Sequence, residues 1–225
     1  MNYRIDHIPF ETPNKRRPGL LMLPRTITIH NTGNPASSAA GERAWLTDPS
    51  NDRQASFHIV VDEREAVECI PLDENSWHAG DGSKTTSGNR TSIGIEICES
   101  GDYAMTLENA AELVALMLKA RGWSVDQLRR HFDWSGKICP RLMYDGGKWT
   151  GWTAFKAMVS EKLKGDEDVK ADKAGFEVNG EKQPDGLLIN GTVYVPLRAA
   201  GEALGATVGW DNKNKVASLT TKGGK

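Results

Sequence analysis

The residues best suited to chemistry lie in one short stretch, Arg129 to Arg141 (RRHFDWSGKICPR), which brings an imidazole (His131), an ammonium (Lys137) and a thiol (Cys139) onto a turn containing Ser and Gly. A thiolate and a neutral imidazole are ligands that a zinc ion prefers, and a catalytic zinc site takes three protein ligands and leaves one position for water. Two are in this stretch, so a third has to come from elsewhere. The spacing of His131 and Cys139 alone matches no dense metal motif, and a core histidine beside a surface loop would look the same. Lys137 and Arg141 give Cys139 a cationic setting, which is expected to lower its thiol pKa.

Strand patterns elsewhere supply the missing groups. Thr26 to His30 (TITIH) alternates with period two, so Ile27 and Ile29 share one side of a sheet and Thr28 and His30 the other. That strand runs straight into the turn signal NTGNP, which puts His30, followed by Asn31, where a loop can open a cleft. A hydrogen-bonded edge histidine is the plain alternative. In Ser92 to Cys98 (SIGIEIC), Ile93, Ile95 and Ile97 oppose Gly94, Glu96 and Cys98. An ionised carboxylate is costly to bury alone, so Glu96 should be paired with an arginine, protonated or near a metal. Two strands with one polar group each opposite an isoleucine stripe suggest one shared catalytic face. In SFHIVVD (Ser56 to Asp62), Phe57, Ile59 and Val61 oppose His58 and Val60; His58 could approach the site as a ligand, but it reads first as a satisfied core histidine. The loop Ser76 to Arg90 is long for a compact domain and offers Trp77 and His78 as a substrate wall and a polar contact.

Other elements have to position these groups. Residues 1 to 25 read as an irregular, proline-containing strap, with His7 as a surface residue. Ala39 to Leu46 reads as a short helix, and Ala66 to Ile70 as a strand after a charged turn. Leu107 to Ala120 has a 3.6-residue apolar period and stops at Gly122. Ser124 to Gln127 (SVDQ) is a capping box expected to open a short helix that delivers His131. Trp152 to Lys164 is amphipathic and closes the first domain. Glu161 to Lys173 is dense with charge of both signs, as in a solvated helix tail running into a linker. Phe176 to Thr221 then resets the pattern to β-β-α-β-β, with nothing at catalytic spacing. The expected division is residues 1–160, a linker over 161–175, and a small domain over 176–225.

At 225 residues the chain has room for a packed domain and a small companion. A net charge of -2 and a pI near 6.2 give no electrostatic reason to expect nucleic acid or an anionic membrane as partner. No apolar run spans a bilayer, and the first residues lack the apolar core of a secretory signal. Three cysteines are too few for a disulfide framework and fit synthesis in a reducing compartment, the cytoplasm.

With TITIHNTGNP, SFHIVVD, SWHAGDG, SIGIEIC and HFDWSGKICP in one order, residues 1 to about 160 resemble the zinc-dependent N-acetylmuramoyl-L-alanine amidases of amidase type 2. That group includes phage endolysins, Bacillus autolysins and the peptidoglycan recognition proteins. The resemblance implies an α/β fold with a central mixed sheet flanked by helices. It implies Zn2+ held by His30, His131 and Cys139, with Glu96 as general base and Lys137 on the oxyanion side. Some members use a tyrosine just before the position of His58; Phe57 stands there and leaves Glu96 as the base. Trp77 and His78 match a substrate-cleft segment, and Asn31 is expected to touch substrate with them. Phe176 to Thr221 resembles a stalk domain also described as copper amine oxidase N-terminal-like, in which wall attachment, spacing and self-association are all open. The function implied is cleavage of the amide between N-acetylmuramic acid and L-alanine in peptidoglycan. Cytoplasmic synthesis with holin-type release or other non-classical export onto the bacterial cell wall fits the N-terminus. Two other readings are a non-catalytic peptidoglycan-binding module of the same fold, against which Cys139 stands, and an intracellular amidase of recycled muropeptides.

Overall fold

Isoleucine and valine stripes build the sheet that carries the site. A computed structural model describes residues 1–164, 172–189 and 191–221, which fall into two compact units, Met1–Lys164 and Gly165–Lys225. In the first unit the strands are β1 (Asn2–Ile5), β2 (Thr26–Asn31), β3 (Ile59–Val61), β4 (Glu65–Glu68), β5 (Ser92–Ile97) and β6 (Leu128–Arg130). The helices are α1 (Ala39–Thr47), α2 (Gly88–Thr91), α3 (Tyr103–Arg121), α4 (Phe132–Ser135) and α5 (Thr150–Lys164). The strands form one mixed sheet in the order β1-β4-β3-β5-β2-β6, in which β3, β5, β2 and β6 are mutually parallel and β4 runs antiparallel to β3.

One face of the sheet is closed by the larger core. Ile27 and Ile29 of β2, Ile59 and Val61 of β3, and Ile93, Ile95 and Ile97 of β5 pack there against α3 and α5 through residues such as Val114, Leu118, Phe155 and Val159. Helix α3 starts where the Asp102 side chain accepts the Met105 N–H, and it ends at Gly122, whose φ of 64° is the left-handed conformation a helix stop needs. The opposite face holds a smaller cluster with Leu46 of α1, Val60, Val67, Cys69 and Cys98. Phe57 belongs to this second cluster, against the expectation that it faces with Ile59. Regular pairing begins only at Ile59, so the period-two alternation does not extend back to it.

Three further expectations are corrected. The opening residues are not wholly irregular: β1 pairs in parallel with the outer edge of β4, and Tyr3 and His7 both bond to the Glu68 carboxylate. Tyr3 and Ile5 alternate with Asn2 and Arg4, but both stay exposed and four residues are too short a run to assign; the pairing comes from the open edge of β4. The capping box at Ser124 opens only a single 3-10 turn, and a strand, β6, then delivers His131. The charged segment begins inside α5, as expected of a helix tail, and residues 165–171 lie outside the described residues, but Asp172–Ala174 form a strand, β7, where a linker was expected. In the second unit β7, β10 (Gly186–Ile189) and β11 (Thr192–Tyr194) make one antiparallel sheet, with the short pair β8 (Glu177–Val178) and β9 (Glu181–Lys182) lying between β7 and β10 in the chain. With β10 and β11, helix α6 (Leu197–Ala203) and the hairpin β12 (Thr207–Asp211) and β13 (Val216–Thr220) give the expected β-β-α-β-β order, to which the structure adds the pair β8 and β9 ahead of it. Among the described residues no helix is long and apolar enough to cross a membrane.

Because β5 lies between β2 and β3 and Ile95 is fully buried, Ile95→Ala should cost about 2–5 kcal/mol of unfolding free energy. A shift of the urea midpoint worth under about 1 kcal/mol, read with the linear extrapolation slope, would contradict that packing.

Candidate metal centre

Parallel pairing brings the first two groups together. His30 of β2 is the register partner of Glu96 of β5, so both side chains rise from the same face of adjacent strands. β6 flanks β2 on the other side, and His131 follows its last residue. The single turn of α4 ends at Gly136, with φ 75°, which turns the chain back so that Phe132 donates its N–H to the Cys139 carbonyl at 3.1 Å. His30, His131 and Cys139 thereby meet at the ends of two strands and on a loop.

Their geometry is that of a ligand set. Nδ1 of His30 lies 3.1 Å from Nδ1 of His131 and 3.7 Å from Sγ of Cys139, and the three donor atoms all fall within 4.8 Å of one another. Ordinary zinc bond lengths at tetrahedral angles require about 3.3 Å between two nitrogens and about 3.6 Å between nitrogen and sulfur. All three residues are buried, and they line a cleft of about 720 Å³ that also reaches Trp45, Trp77 and Arg53. Oε1 of Glu96 is 4.0 Å from His30 Nδ1, while its Oε2 is buried with no hydrogen-bond partner. Lys137 is exposed at the rim.

Electrostatics push every one of these groups toward its neutral form. Burial, then the charges His78 and His131 would carry, holds the His30 imidazolium pKa well below the usual range. Burial and Lys137 bring that of His131 to about 4. Burial, with a lesser push from Glu42, raises Glu96 to about 8, and burial followed by Glu96 raises Cys139 to about 12. The expectation that cationic neighbours favour the Cys139 thiolate is therefore overturned. Arg141 is held by the Glu99 carboxylate, and the exposed Lys137 is too weak an influence to offset desolvation. A divalent cation at the three donors would reverse the balance for both Glu96 and Cys139. Two neutral imidazoles, a thiol able to ionise and an orphaned carboxylate oxygen fit such an ion.

The remaining residues singled out in the sequence divide. His58 is fully buried and satisfied: Nε2 meets the Glu74 carbonyl at 2.8 Å, and Nδ1 meets Ser76 Oγ at 3.0 Å and the Gly94 N–H at 2.9 Å. His78 sits behind His30 with both ring nitrogens engaged, Nδ1 to His30 and Nε2 to the Ser92 carbonyl, so its ring has no free polar atom for a substrate. Asn31 is likewise committed: its amide donates to Tyr103 Oη at 3.1 Å and its carbonyl accepts from Leu142 N–H at 3.1 Å, tying β2 to the loop after Cys139. Trp77 does line the cleft, with its indole N–H donated to the Lys15 carbonyl at 3.0 Å. Sequence reading missed Glu42, a helix residue that faces into the cleft, because nothing in its local pattern distinguishes it from a solvated one.

Fold and site together define an α/β domain with a two-histidine, one-cysteine metal-competent centre, beside an unpartnered carboxylate at the carboxyl ends of its central strands. Residues 20–142 match the family model described as N-acetylmuramoyl-L-alanine amidase, and the chain belongs to that family. Residues 176–225 match the copper amine oxidase N-terminal domain. Among relatives, N-acetylmuramoyl-L-alanine amidase XlyB of Bacillus subtilis is 44% identical over 66% of this chain and 45% of its own length. For CwlA of the same organism the figures are 45%, 69% and 53%. The chain thus spans about half the length of these relatives. The solved catalytic domain of XlyA superposes with a TM-score of 0.63 at 42% identity, covering 71% of this chain and 99% of that one. The PlyG catalytic domain gives 0.62 at 35%, covering 72% and 96%.

Raising the Glu96 pKa above its ordinary 4.5 means that the metal-free fold holds the proton the unfolded chain has already lost. Stability from this group is therefore full below about pH 4.5 and is lost as pH rises through about 8. Metal-free Glu96→Gln should gain stability over metal-free wild type at pH 8, by an amount on the order of a few kcal/mol, with the difference vanishing toward pH 4.5. Denaturation midpoints of the two proteins at both pH values check it; a constant difference would not be compatible with a carboxylate buried in this way.

Proposed function

We propose that this protein is a peptidoglycan hydrolase that cuts the amide between the lactyl group of N-acetylmuramic acid and the L-alanine of the stem peptide, acting on the bacterial cell wall in the manner of an endolysin or autolysin. The observation that carries the reading is the convergence of His30, His131 and Cys139 within 4.8 Å, with the orphaned Glu96 oxygen beside them in an open cleft. The activity named for the Bacillus relatives supports the choice of bond.

Held by His30, His131 and Cys139, a zinc ion would supply Lewis-acid polarisation of the scissile carbonyl and a water acidified toward neutrality. Glu96 accepts the proton of the attacking water and returns it to the leaving amine. Its burial, which keeps its basicity well above that of an exposed carboxylate, suits it to both transfers. Lys137, at the rim, sets a positive charge where the tetrahedral oxyanion develops. Trp77, fixed through its indole N–H, forms the apolar side of the cleft against which the stem peptide lies. His78 and Asn31, whose polar atoms are used within the protein, take no part in holding substrate here.

Digestion of purified cell walls, followed by mass spectrometry, should yield free stem peptides with an L-alanine amino terminus and glycan chains with intact lactyl groups. Chelation should stop the release and zinc restore it. Co-sedimentation with walls without amine release would point instead to a binding module. Glu96→Gln should keep zinc and lose about 10²–10⁴-fold in turnover, while Lys137→Met should lose about 10²–10³-fold. Near-normal turnover by zinc-loaded Glu96→Gln would remove Glu96 as the base.

A further inference from the structure

Behind the metal centre runs a chain of hydrogen bonds whose proton positions are fixed from one end. Nε2 of His78 lies 3.0 Å from the carbonyl oxygen of Ser92, the first residue of β5. A carbonyl only accepts, so this nitrogen carries the proton, and in the neutral ring Nδ1 is then a bare lone pair. Nδ1 of His78 lies 3.0 Å from Nε2 of His30. With a lone pair on the His78 side, the proton between them belongs to His30 Nε2, which leaves His30 Nδ1 as a lone pair aimed at His131 Nδ1 and Cys139 Sγ. A backbone oxygen two residues removed thus dictates which nitrogen of His30 can bind an ion.

We infer that His78 is a positioning residue for the metal centre, one that selects the Nε2–H tautomer of His30 and so presents its Nδ1 lone pair to the ion. The inference rests on the reading of His30, His131 and Cys139 as metal ligands, and gives that centre a support no substrate contact requires.

The surroundings of His78 hold it to this task. Its own N–H and that of Ala79 both donate to Asn89 Oδ1 at 2.7 Å, and the Asp81 carboxylate accepts the Gly88 N–H at 2.6 Å, which pins the loop to the start of β5. The ring occupies space left by Gly94: a Cβ there would lie 2.6 Å from His78 Cγ. Gly94 does not have a left-handed φ, so an alanine would suit its backbone, and the His78 ring is what excludes the side chain. The ring is nearly closed off from solvent, at 6% exposure, so water offers no substitute acceptor for the His30 proton. Outer partners of metal-bound histidines typically contribute 10–100-fold in metal affinity.

Long-range ¹H–¹⁵N correlation spectra of the ¹⁵N-labelled, metal-free full chain at pH 7 read the tautomers directly. His30 and His78 should both appear as neutral Nε2–H rings; a His30 protonated at Nδ1, or a rapidly averaged mixture, overturns the inference. In His78→Phe, His30 should lose its single tautomer, and zinc affinity, measured by chelator competition, should fall 10–100-fold. His78→Asn, which keeps an acceptor near the Nδ1 position, should recover part of that loss. Zinc affinity within twofold of wild type in a folded His78→Phe protein overturns the assignment. Should His78→Phe fail to fold, Gly94→Ala applies the same test by displacing the ring: weaker zinc binding supports the relay and unchanged binding overturns it. A wild type with the expected tautomers and tight zinc binding, but no amine release from cell walls, would sink the amidase reading and leave this inference intact.

Discussion

Everything at the site follows from one constraint: a cluster of proton-binding groups is buried where desolvation outweighs the charge of Lys137, the described cation that acts on all of them. His30, His131 and Cys139 point lone-pair atoms at a common space, and Glu96 adds a carboxylate with one oxygen unpartnered. Lys137 stays at the solvent-exposed rim, and Arg141 is engaged by Glu99. Left to itself the cluster relaxes by holding protons on Glu96 and Cys139 and excluding them from the imidazoles. A divalent ion would resolve the same conflict by charge, and the donor set fits one.

Around the cluster, hydrogen bonds to backbone atoms do the holding. Arg16, fully buried, donates to the carbonyls of Leu46, Asn51 and Arg53 and ties the strap to the end of α1 and to the loop that walls the cleft. A guanidinium is suited to that, with five donors in a rigid fork and no need of a carboxylate when several carbonyls converge. Asn31 performs the equivalent service between β2 and the loop carrying Cys139, and Asn89 does so between the Trp77–Ala79 segment and β5. The strap residues that look featureless in sequence thus brace the cleft wall from behind, and Trp77 is fixed by one of them, Lys15.

Those ties mark the limit of what could be read from the chain alone. The shared face was legible because period-two alternation is a local property: Ile27 and Ile29, like Ile93 and Ile95, announce which side His30 and Glu96 take. The convergence of His30, His131 and Cys139 was legible once residue chemistry was joined to family resemblance. His78 was assigned to substrate because a histidine in a glycine-rich loop next to a tryptophan reads as a polar contact. Its true partners, Ser92 and His30, are set by how that loop folds back onto β5, and no spacing encodes it. The sign of the Cys139 shift failed for a related reason: sequence displays neighbouring charges but not depth, and depth dominates here. β1 escaped because edge pairing needs only backbone, which carries no side-chain signature.

The separation of the site from the main core explains how a domain can tolerate such a cluster. The apolar residues of β2, β3 and β5 pack with α3 and α5 on the face opposite to His30 and Glu96, so the largest source of hydrophobic stabilisation owes nothing to the donors. Small metal-dependent domains, in which the ion supplies the folding energy, lack that independence. Here the fold can be complete while the site is still protonated, and taking up an ion becomes chiefly an exchange of charge for protons at Cys139 and Glu96 rather than a rearrangement of the chain. A site whose lone pairs are oriented by backbone-anchored partners before the ion arrives requires little reorganisation when it does, and preorganisation of that kind is what electrostatic catalysis demands.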